Sequence, residues 1–105
     1  MSNAPIVLGL DVGTQSLRAA LVDLSGKTLA YGVEPIETTY PRPAWAEQRP
    51  QDWWQAAKSA TRKALAASGI APARVAAIGL DCTACTVVAC TLDGEPLRPS
   101  LLWMD

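Results

Sequence analysis

The chain has 105 residues, which is the length of a single domain. Half of the residues are hydrophobic and 18% are charged, a composition typical of a globular protein and not of a disordered segment. Nine basic and ten acidic side chains give a net charge of −1, which argues against a nucleic-acid-binding or anionic-membrane-binding surface. Histidine is absent, so catalytic triads and metal sites that use it are excluded from this chain.

Several features predict a cytoplasmic protein without a membrane partner. Residues 1–5 lack the basic and apolar regions of a secretory signal, and no apolar run is long enough to span a bilayer. An odd number of cysteines in an apolar-rich chain argues against a disulfide scaffold. Cys82 and Cys85 have the C-x-x-C spacing of a redox or zinc site, but only Cys90 remains as a further thiol ligand. We therefore favour small, buried, reduced thiols.

The first third of the chain predicts a three-stranded meander, with strands over 6–10, 17–24 and 27–33. A polar segment with a glycine joins the first two strands, and Ser25 and Gly26 mark the second turn. Four prolines predict an irregular segment over 34–50. We expect Tyr40 and Trp45 of this segment to pack back onto the domain.

A helix is predicted to begin at Pro50, which suits the first helical position, and to end near Gly69, which suits a left-handed cap. Asp52 lies in its first turn, where the helix dipole favours an anion. One broad face is expected to pack on the core, with the two tryptophans as anchors. This face contains Trp53, Trp54, Ala57, Ala60, Thr61, Ala64 and Leu65.

The last third of the chain predicts three more strands, over 75–80, 86–92 and 97–103, with a hairpin turn at Asp93-Gly94. The first of them is nearly all apolar, as expected for a central strand covered on both faces. A helical crossover that leads into a buried strand indicates a mixed α/β sheet. Ligands bind at strand ends, so the polar residues near Asp11 and Asp81 are the candidate sites.

The segment 9–18 offers the chemistry of a phosphate and magnesium site. Gly13 allows a tight turn whose successive N–H groups can bind an anion, and Thr14 and Ser16 add hydroxyl donors. The planar cation of Arg18 suits phosphate oxygens, and the carboxylate of Asp11 suits Mg²⁺. An ordinary hairpin with Asp and Gly in its turn is the alternative.

Four stretches in a fixed order resemble the FGGY family of carbohydrate kinases. They are GLDVGTQSLR at 9–18, YPRPAWAEQRP with DWW at 40–54, IGLDCTACTVV at 78–88 and LLWMD at 101–105. The resemblance implies the ribonuclease-H-like, actin-like ATPase fold, with a mixed α/β sheet. It also implies an ATP-dependent enzyme that transfers the γ-phosphate to a sugar hydroxyl.

The resemblance implies roles for the residues of the first stretch. Asp11 matches the residue that holds the Mg²⁺ shell, and Arg18 matches an arginine that stabilises the site or its nucleotide. The turn around the β- and γ-phosphates matches Gly13, Thr14, Gln15 and Ser16. The general base of the family is an aspartate that we expect beyond residue 105, so no catalytic residue is predicted in this chain.

The resemblance also implies a sugar site, formed by Asp81, Thr83, Ala84, Trp103 and Asp105. Glycerol kinases carry an Arg-Glu pair where Thr83 and Ala84 stand, and xylulose kinases carry a Met-His pair near Cys82 and Thr83. The stretch here is more similar to the Asp-x-Thr turn of ribulose kinases, so a pentulose, ribulose or xylulose, is the expected substrate. Trp103 would stack on the sugar, and Asp81, Thr83 and Asp105 would bind its hydroxyls. The alternative for Thr83 and Ala84 is a plain strand kink.

We expect residues 1–105 to be the N-terminal part of the first FGGY kinase domain, without the second domain and inactive alone. Such a piece would leave one sheet edge uncovered, which favours a homodimer or aggregation. Two other hypotheses remain. A non-catalytic nucleotide-binding module of the actin and Hsp70 superfamily would use the same phosphate hairpin. A free-standing domain with a C-x-x-C redox switch would contain one thiol of low pKa.

Overall fold

The computed structural model describes residues 3–105 and is built on a four-stranded mixed sheet. Its strands lie in the order β3-β2-β1-β5, with β1 antiparallel to β2 and parallel to β5. A small second sheet pairs β4 with β6. The elements are β1 Ile6–Val12, β2 Ser16–Asp23, β3 Thr28–Pro35, β4 Glu47–Gln48, α1 Pro50–Ser68, a 3₁₀ turn Pro72–Arg74, β5 Val75–Cys82 and β6 Ser100–Leu101.

The structure confirms the predicted meander and mixed sheet. One difference is that β1 continues to Val12, so that Asp11 lies in the strand and not in the turn. The extra residues pair with both neighbours of β1, which places Asp11 opposite Arg18 on one side and Asp81 on the other. Backbone pairing with β2 and β5 thus keeps Asp11 and Val12 in the strand, although a polar residue there suggested a turn.

The structure also confirms the helix, which begins at Pro50, ends at Ser68 and is capped by Gly69. Gly69 has a φ of 70°, and its N–H donates to the carbonyl of Leu65. The buried face is a stripe of small residues, Ala56, Ala60 and Ala64. The prediction of two tryptophan anchors is half wrong. Trp53 packs against the core, whereas Trp54 is 65% exposed, with the Lys58 ammonium 5.6 Å from its ring centroid.

The helix lies very close to the sheet at Gly32 of β3. A Cβ built on Gly32 would lie 1.9 Å from the carbonyl oxygen of Ala60. This contact leaves no room for large side chains between helix and sheet, which explains why alanines form the buried face of α1. The core is completed by alternate residues of β1 and β2, namely Ile6, Leu8, Leu17, Ala19 and Leu21.

The prediction that 75–80 forms a central strand covered on both faces is wrong for this chain. β5 is an edge strand, and its apolar side chains Ile78 and Leu80 are 64% and 69% exposed. The reason is that α1 lies over β2 and β3 and leaves β5 uncovered. Cys82 at the end of β5 is exposed, and so are Cys85 and Cys90 in the segment after it, so the prediction of buried thiols is also wrong.

The two strands predicted over 86–92 and 97–103 do not form as such. Isolated bridges join Val87 to Leu101 and Cys90 to Pro96, and only β6 remains as a short strand. The turn at Asp93-Gly94 is present, since Gly94 has a φ of 85° and donates to the carbonyl of Thr91. β6 pairs with the two-residue strand β4 and not with the main sheet, so β6 is also only two residues long.

Of the segment predicted to be irregular over 34–50, residues 36–49 are irregular apart from β4, while β3 extends to Pro35 and α1 begins at Pro50. Reciprocal N–H···O bonds of 2.9 Å between Thr39 and Glu47 make it an ordered loop. The packing predicted for its aromatic rings is wrong: Tyr40 is 67% exposed, and Trp45 is exposed with the Arg42 guanidinium 5.2 Å from its ring centroid. Between residues 3 and 105, no helix is long and apolar enough to cross a membrane.

Candidate functional site

Three charged side chains stand in one row on the sheet face opposite α1. Asp11 of β1 is the register partner of Arg18 on β2 and of Asp81 on β5. The neighbouring row on the same face, two residues before Asp11 and Asp81 and two residues after Arg18, holds Gly9, Gly79 and Ala20. Because this second row has almost no side chains, it forms the floor of an open groove of about 320 Å³ that ends at the charged row.

The two carboxylates of this row influence each other. The pKa of Asp81 is raised above its ordinary value of 3.8, first by a hydrogen bond with Asp11, then by desolvation and by the negative charge of Asp11. A divalent cation relieves such repulsion, and carboxylate oxygens are ligands that Mg²⁺ prefers. The described residues contain no cluster of three or more potential metal ligands. The pair therefore fits an ion that keeps water or phosphate oxygens as its other ligands.

The turn between β1 and β2, residues 13–16, is closed by its own backbone. The Gly13 N–H donates to the Ser16 carbonyl at 3.0 Å, and a Cβ on Gly13 would lie 3.2 Å from that same oxygen. The carbonyl of the intervening Gln15 accepts a hydrogen bond of 2.9 Å from the Ile36 N–H. This turn, which we call the phosphate turn after its predicted role, is thus held to the start of the loop that follows β3.

Two side chains from distant segments also bind the phosphate turn, both through Thr14. The Trp103 Nε1–H donates to the Thr14 hydroxyl at 3.1 Å, and the Gln48 Nε2–H donates to the Thr14 carbonyl at 2.6 Å. Sequence reasoning placed Trp103 in the site but missed Gln48. No periodicity or spacing distinguishes a buried glutamine between Glu47 and Arg49 from a solvated loop residue.

The other predicted sugar residues lie around this cluster. The Thr83 N–H donates to the Val12 carbonyl at 3.1 Å, and the Thr83 hydroxyl lies 3.0 Å from that of Thr86. Ala84 is exposed beside Cys85, which has a φ of 59°. The Asp105 carboxylate accepts a hydrogen bond of 2.9 Å from the Ala46 N–H, so its position depends on the loop before α1.

The predicted residues are divided between the two faces of the sheet. Asp11, Arg18 and Asp81 face the groove described above, whereas Gly13 and Thr83 line a separate apolar groove of about 500 Å³ between α1 and β5. Gly13 and Thr83 each lie one residue beyond the end of a strand, where the regular alternation of side chains no longer applies. The phosphate turn joins the two faces at the end of β1.

Comparison with known proteins shows to which family this sequence and fold are similar. Residues 6–105 match the N-terminal domain of the FGGY family of carbohydrate kinases. A glycerol kinase of Geobacter sp. (strain M21) is 40% identical over 100 residues, which cover 94% of this chain and 20% of that protein. A ribulokinase of Geobacillus thermodenitrificans is 40% identical over 102 residues, which cover 87% of this chain and 18% of that protein. The chain therefore spans about a fifth of the length of these curated relatives.

The fold leads to the same family. The crystal structure of a xylulose kinase from Rhodospirillum rubrum superposes with a TM-score of 0.84 at 33% identity, covering 91% of this chain and 20% of that one. The mixed sheet and its helix are part of the ribonuclease-H-like, actin-like ATPase fold. With the sequence match over residues 6–105, these findings show that the chain belongs to the FGGY family of carbohydrate kinases.

Proposed function

We propose that this chain is the N-terminal part of the first domain of an ATP-dependent sugar kinase that transfers the γ-phosphate to a hydroxyl of a pentulose, ribulose or xylulose. The observation that carries the proposal is the row of Asp11, Arg18 and Asp81 beside the phosphate turn. The row combines a cation-binding carboxylate pair with an arginine suited to phosphate. Under this proposal, residues 1–105 supply part of the nucleotide and sugar sites, and the second domain is formed by other residues of the enzyme.

On the nucleotide side, Asp11 would hold Mg²⁺ and Arg18 would bind a phosphate oxygen. When bound with ATP, Mg²⁺ supplies charge neutralisation for phosphoryl transfer. The Gly13 N–H is already engaged with Ser16, so the β- and γ-phosphates would meet the later N–H groups of the turn and the hydroxyls of Thr14 and Ser16. Gln15 would contribute its backbone N–H.

On the sugar side, Thr83 and Asp105 would accept or donate hydrogen bonds to hydroxyls, and Trp103 would offer its apolar ring face. Ala84 leaves space for a long polyol chain because its side chain is only a methyl group. Asp81 adjoins Asp11, so it would bind a hydroxyl close to the metal position. The relatives include both glycerol kinases and ribulokinases, and the choice of a pentulose rests on the turn at 81–84.

The general base is expected in a longer polypeptide, as an aspartate that takes the proton of the attacking sugar hydroxyl. We therefore propose that residues 1–105 alone are inactive, and that the whole enzyme acts in the cytoplasm on a small sugar, without nucleic-acid or membrane partners. The uncovered β5 edge would favour a homodimer of the isolated piece.

The test is sugar-dependent ADP release with MgATP, measured for this chain and for a longer polypeptide that includes the downstream coding sequence. The sugars are ribulose, xylulose, ribitol and glycerol. We expect turnover with a pentulose in the longer polypeptide only. Asp11→Asn should reduce kcat by about a hundredfold or more, because it removes the charge that holds the cation. Asp93→Asn, in the exposed turn near β6, is the matched control.

Three outcomes are distinguishable. Pentulose turnover that is lost in Asp11→Asn and kept in Asp93→Asn supports the proposal. Turnover with glycerol alone supports the proposed kinase activity and contradicts a pentulose as the substrate. ATP binding without any sugar-dependent turnover in either polypeptide overturns the kinase in favour of a non-catalytic nucleotide-binding module.

A further inference from the structure

Gln48 is a buried polar residue whose side chain joins three segments of the chain. It is 3% exposed, and its Nε2 donates to the Thr14 carbonyl at 2.6 Å and to the Thr38 hydroxyl at 3.0 Å. Its Oε1 accepts from the Trp53 Nε1–H at 2.9 Å. The carbonyl of Gln48 also accepts from the Ser100 hydroxyl at 2.9 Å, which fixes its backbone.

The chemistry of the partners determines the orientation of this amide. An indole N–H can only donate, so the group facing Trp53 must be the oxygen, and a backbone carbonyl can only accept, so the group facing Thr14 must be the nitrogen. Rotating the amide by 180° would break both bonds. Because the side chain is buried, its amide would then have no hydrogen-bond partners, which lowers the stability of the fold.

We infer that Gln48 is a positioning residue for phosphoryl transfer that aims the backbone of the phosphate turn. The inference rests on the kinase function proposed above. The Thr14 carbonyl belongs to the same planar peptide unit as the Gln15 N–H, and the two groups point in opposite directions in a trans peptide. By holding the carbonyl, Gln48 directs the Gln15 N–H away from the core, towards the position of the phosphates.

The next peptide unit is held in a similar way, by a different element. The Ile36 N–H donates to the Gln15 carbonyl at 2.9 Å, and that carbonyl shares its peptide with the Ser16 N–H. Two successive peptides of the turn are therefore oriented by groups outside it. Preorganised N–H donors stabilise developing charge without reorganisation during the reaction. Gln48 supplies the side-chain part of this arrangement.

Two variants test the side chain of Gln48, and a third serves as their control. Gln48→Glu keeps the size and the acceptor for Trp53 but places a carboxylate oxygen against the Thr14 carbonyl. Gln48→Met keeps the length of the side chain and removes all of its hydrogen bonds. Thr38→Val is the matched control, because it removes another partner of the same amide and leaves the Thr14 bond in place.

The first measurement is steady-state kinetics of the longer polypeptide, with MgATP and sugar varied separately. We expect kcat/KM for MgATP to fall by about tenfold to a hundredfold in both Gln48 variants, with KM for the sugar within about twofold of wild type. Thr38→Val should stay close to wild type. A rise in KM for the sugar as large as the loss in kcat/KM for MgATP, or an unchanged kcat/KM for MgATP in a folded variant, would overturn the inference.

The second measurement uses this 105-residue chain and does not depend on activity. Amide hydrogen exchange is followed by NMR for Gly13, whose N–H closes the phosphate turn on the Ser16 carbonyl, and, as a reference, for Ala19 in β2. We expect exchange at Gly13 to accelerate in Gln48→Glu and Gln48→Met relative to wild type and Thr38→Val, while Ala19 stays protected. Unchanged exchange at Gly13 in folded variants contradicts the inference. If the wild-type longer polypeptide lacks kinase activity, the proposed function fails and this exchange experiment still decides the role of Gln48.

Discussion

At the scale of single residues, the site depends on hydrogen bonds that converge on Thr14. Its carbonyl is held by Gln48, and its hydroxyl accepts from the indole N–H of Trp103. The second contact links a residue of the proposed sugar site to the phosphate turn. Since the Thr14 hydroxyl acts as acceptor towards Trp103, its own proton remains available for a phosphate oxygen.

The Trp103 contact can be tested with Trp103→Phe, which keeps an apolar ring for the sugar and removes the N–H donor. We expect KM for MgATP to rise about threefold in the longer polypeptide, as for the loss of one hydrogen bond worth about 0.5–1 kcal/mol. KM for the sugar should change less. Trp45→Phe is the control, because that ring contacts Arg42 and does not reach Thr14. An equal effect of the two substitutions would refute the role of the indole N–H.

At the scale of elements, α1 and β3 approach so closely that a Cβ on Gly32 would overlap the Ala60 carbonyl. The helix presents alanines, and Gly32 lets the backbone of the two elements approach. This packing also positions the site, because Trp53 near the start of α1 donates to Gln48. The helix therefore acts on the phosphate turn through one buried amide.

We predict that Gly32→Ala lowers the free energy of unfolding by about 3 kcal/mol or more, because its Cβ would overlap the Ala60 carbonyl and force the helix outwards. The measurement is urea unfolding of this chain followed by circular dichroism. Gly79→Ala is the control, since a Cβ there meets nothing within 4 Å. Similar stability of Gly32→Ala and Gly79→Ala would show that the helix can move away at little cost.

At the scale of the whole molecule, the edge strand β5 is not covered by α1. The groove between α1 and β5 is lined mainly by apolar side chains, including Leu80, Trp54 and Val88. Exposed apolar patches and unpaired strand edges promote association. In this chain, both features occur together on β5.

We predict that the isolated chain self-associates, and that the double substitution Ile78→Thr with Leu80→Thr reduces this association, because threonine is more polar and, being β-branched, still suits a strand. Analytical ultracentrifugation over a range of concentrations measures the mass. Leu24→Thr, in the turn at the other end of the sheet, controls for the loss of an exposed leucine. A monomeric wild-type chain would contradict the prediction.

The amino-acid sequence by itself determined the helix and the meander. Proline and glycine signals located α1, and apolar periodicity located the first three strands. The residues at 9–18 predicted a phosphate site from the chemistry of their side chains. These features depend on neighbours in the chain, so they are readable without a fold.

Only the tertiary structure decided which residues meet. It placed Asp81 against Asp11, made β5 an edge strand, exposed Trp54 and the cysteines, and brought Gln48 beneath the phosphate turn. Each of these results depends on how α1 lies on the sheet and on hydrogen bonds between segments far apart in the chain. Burial and long-range pairing are properties of the assembled fold, and no local pattern encodes them.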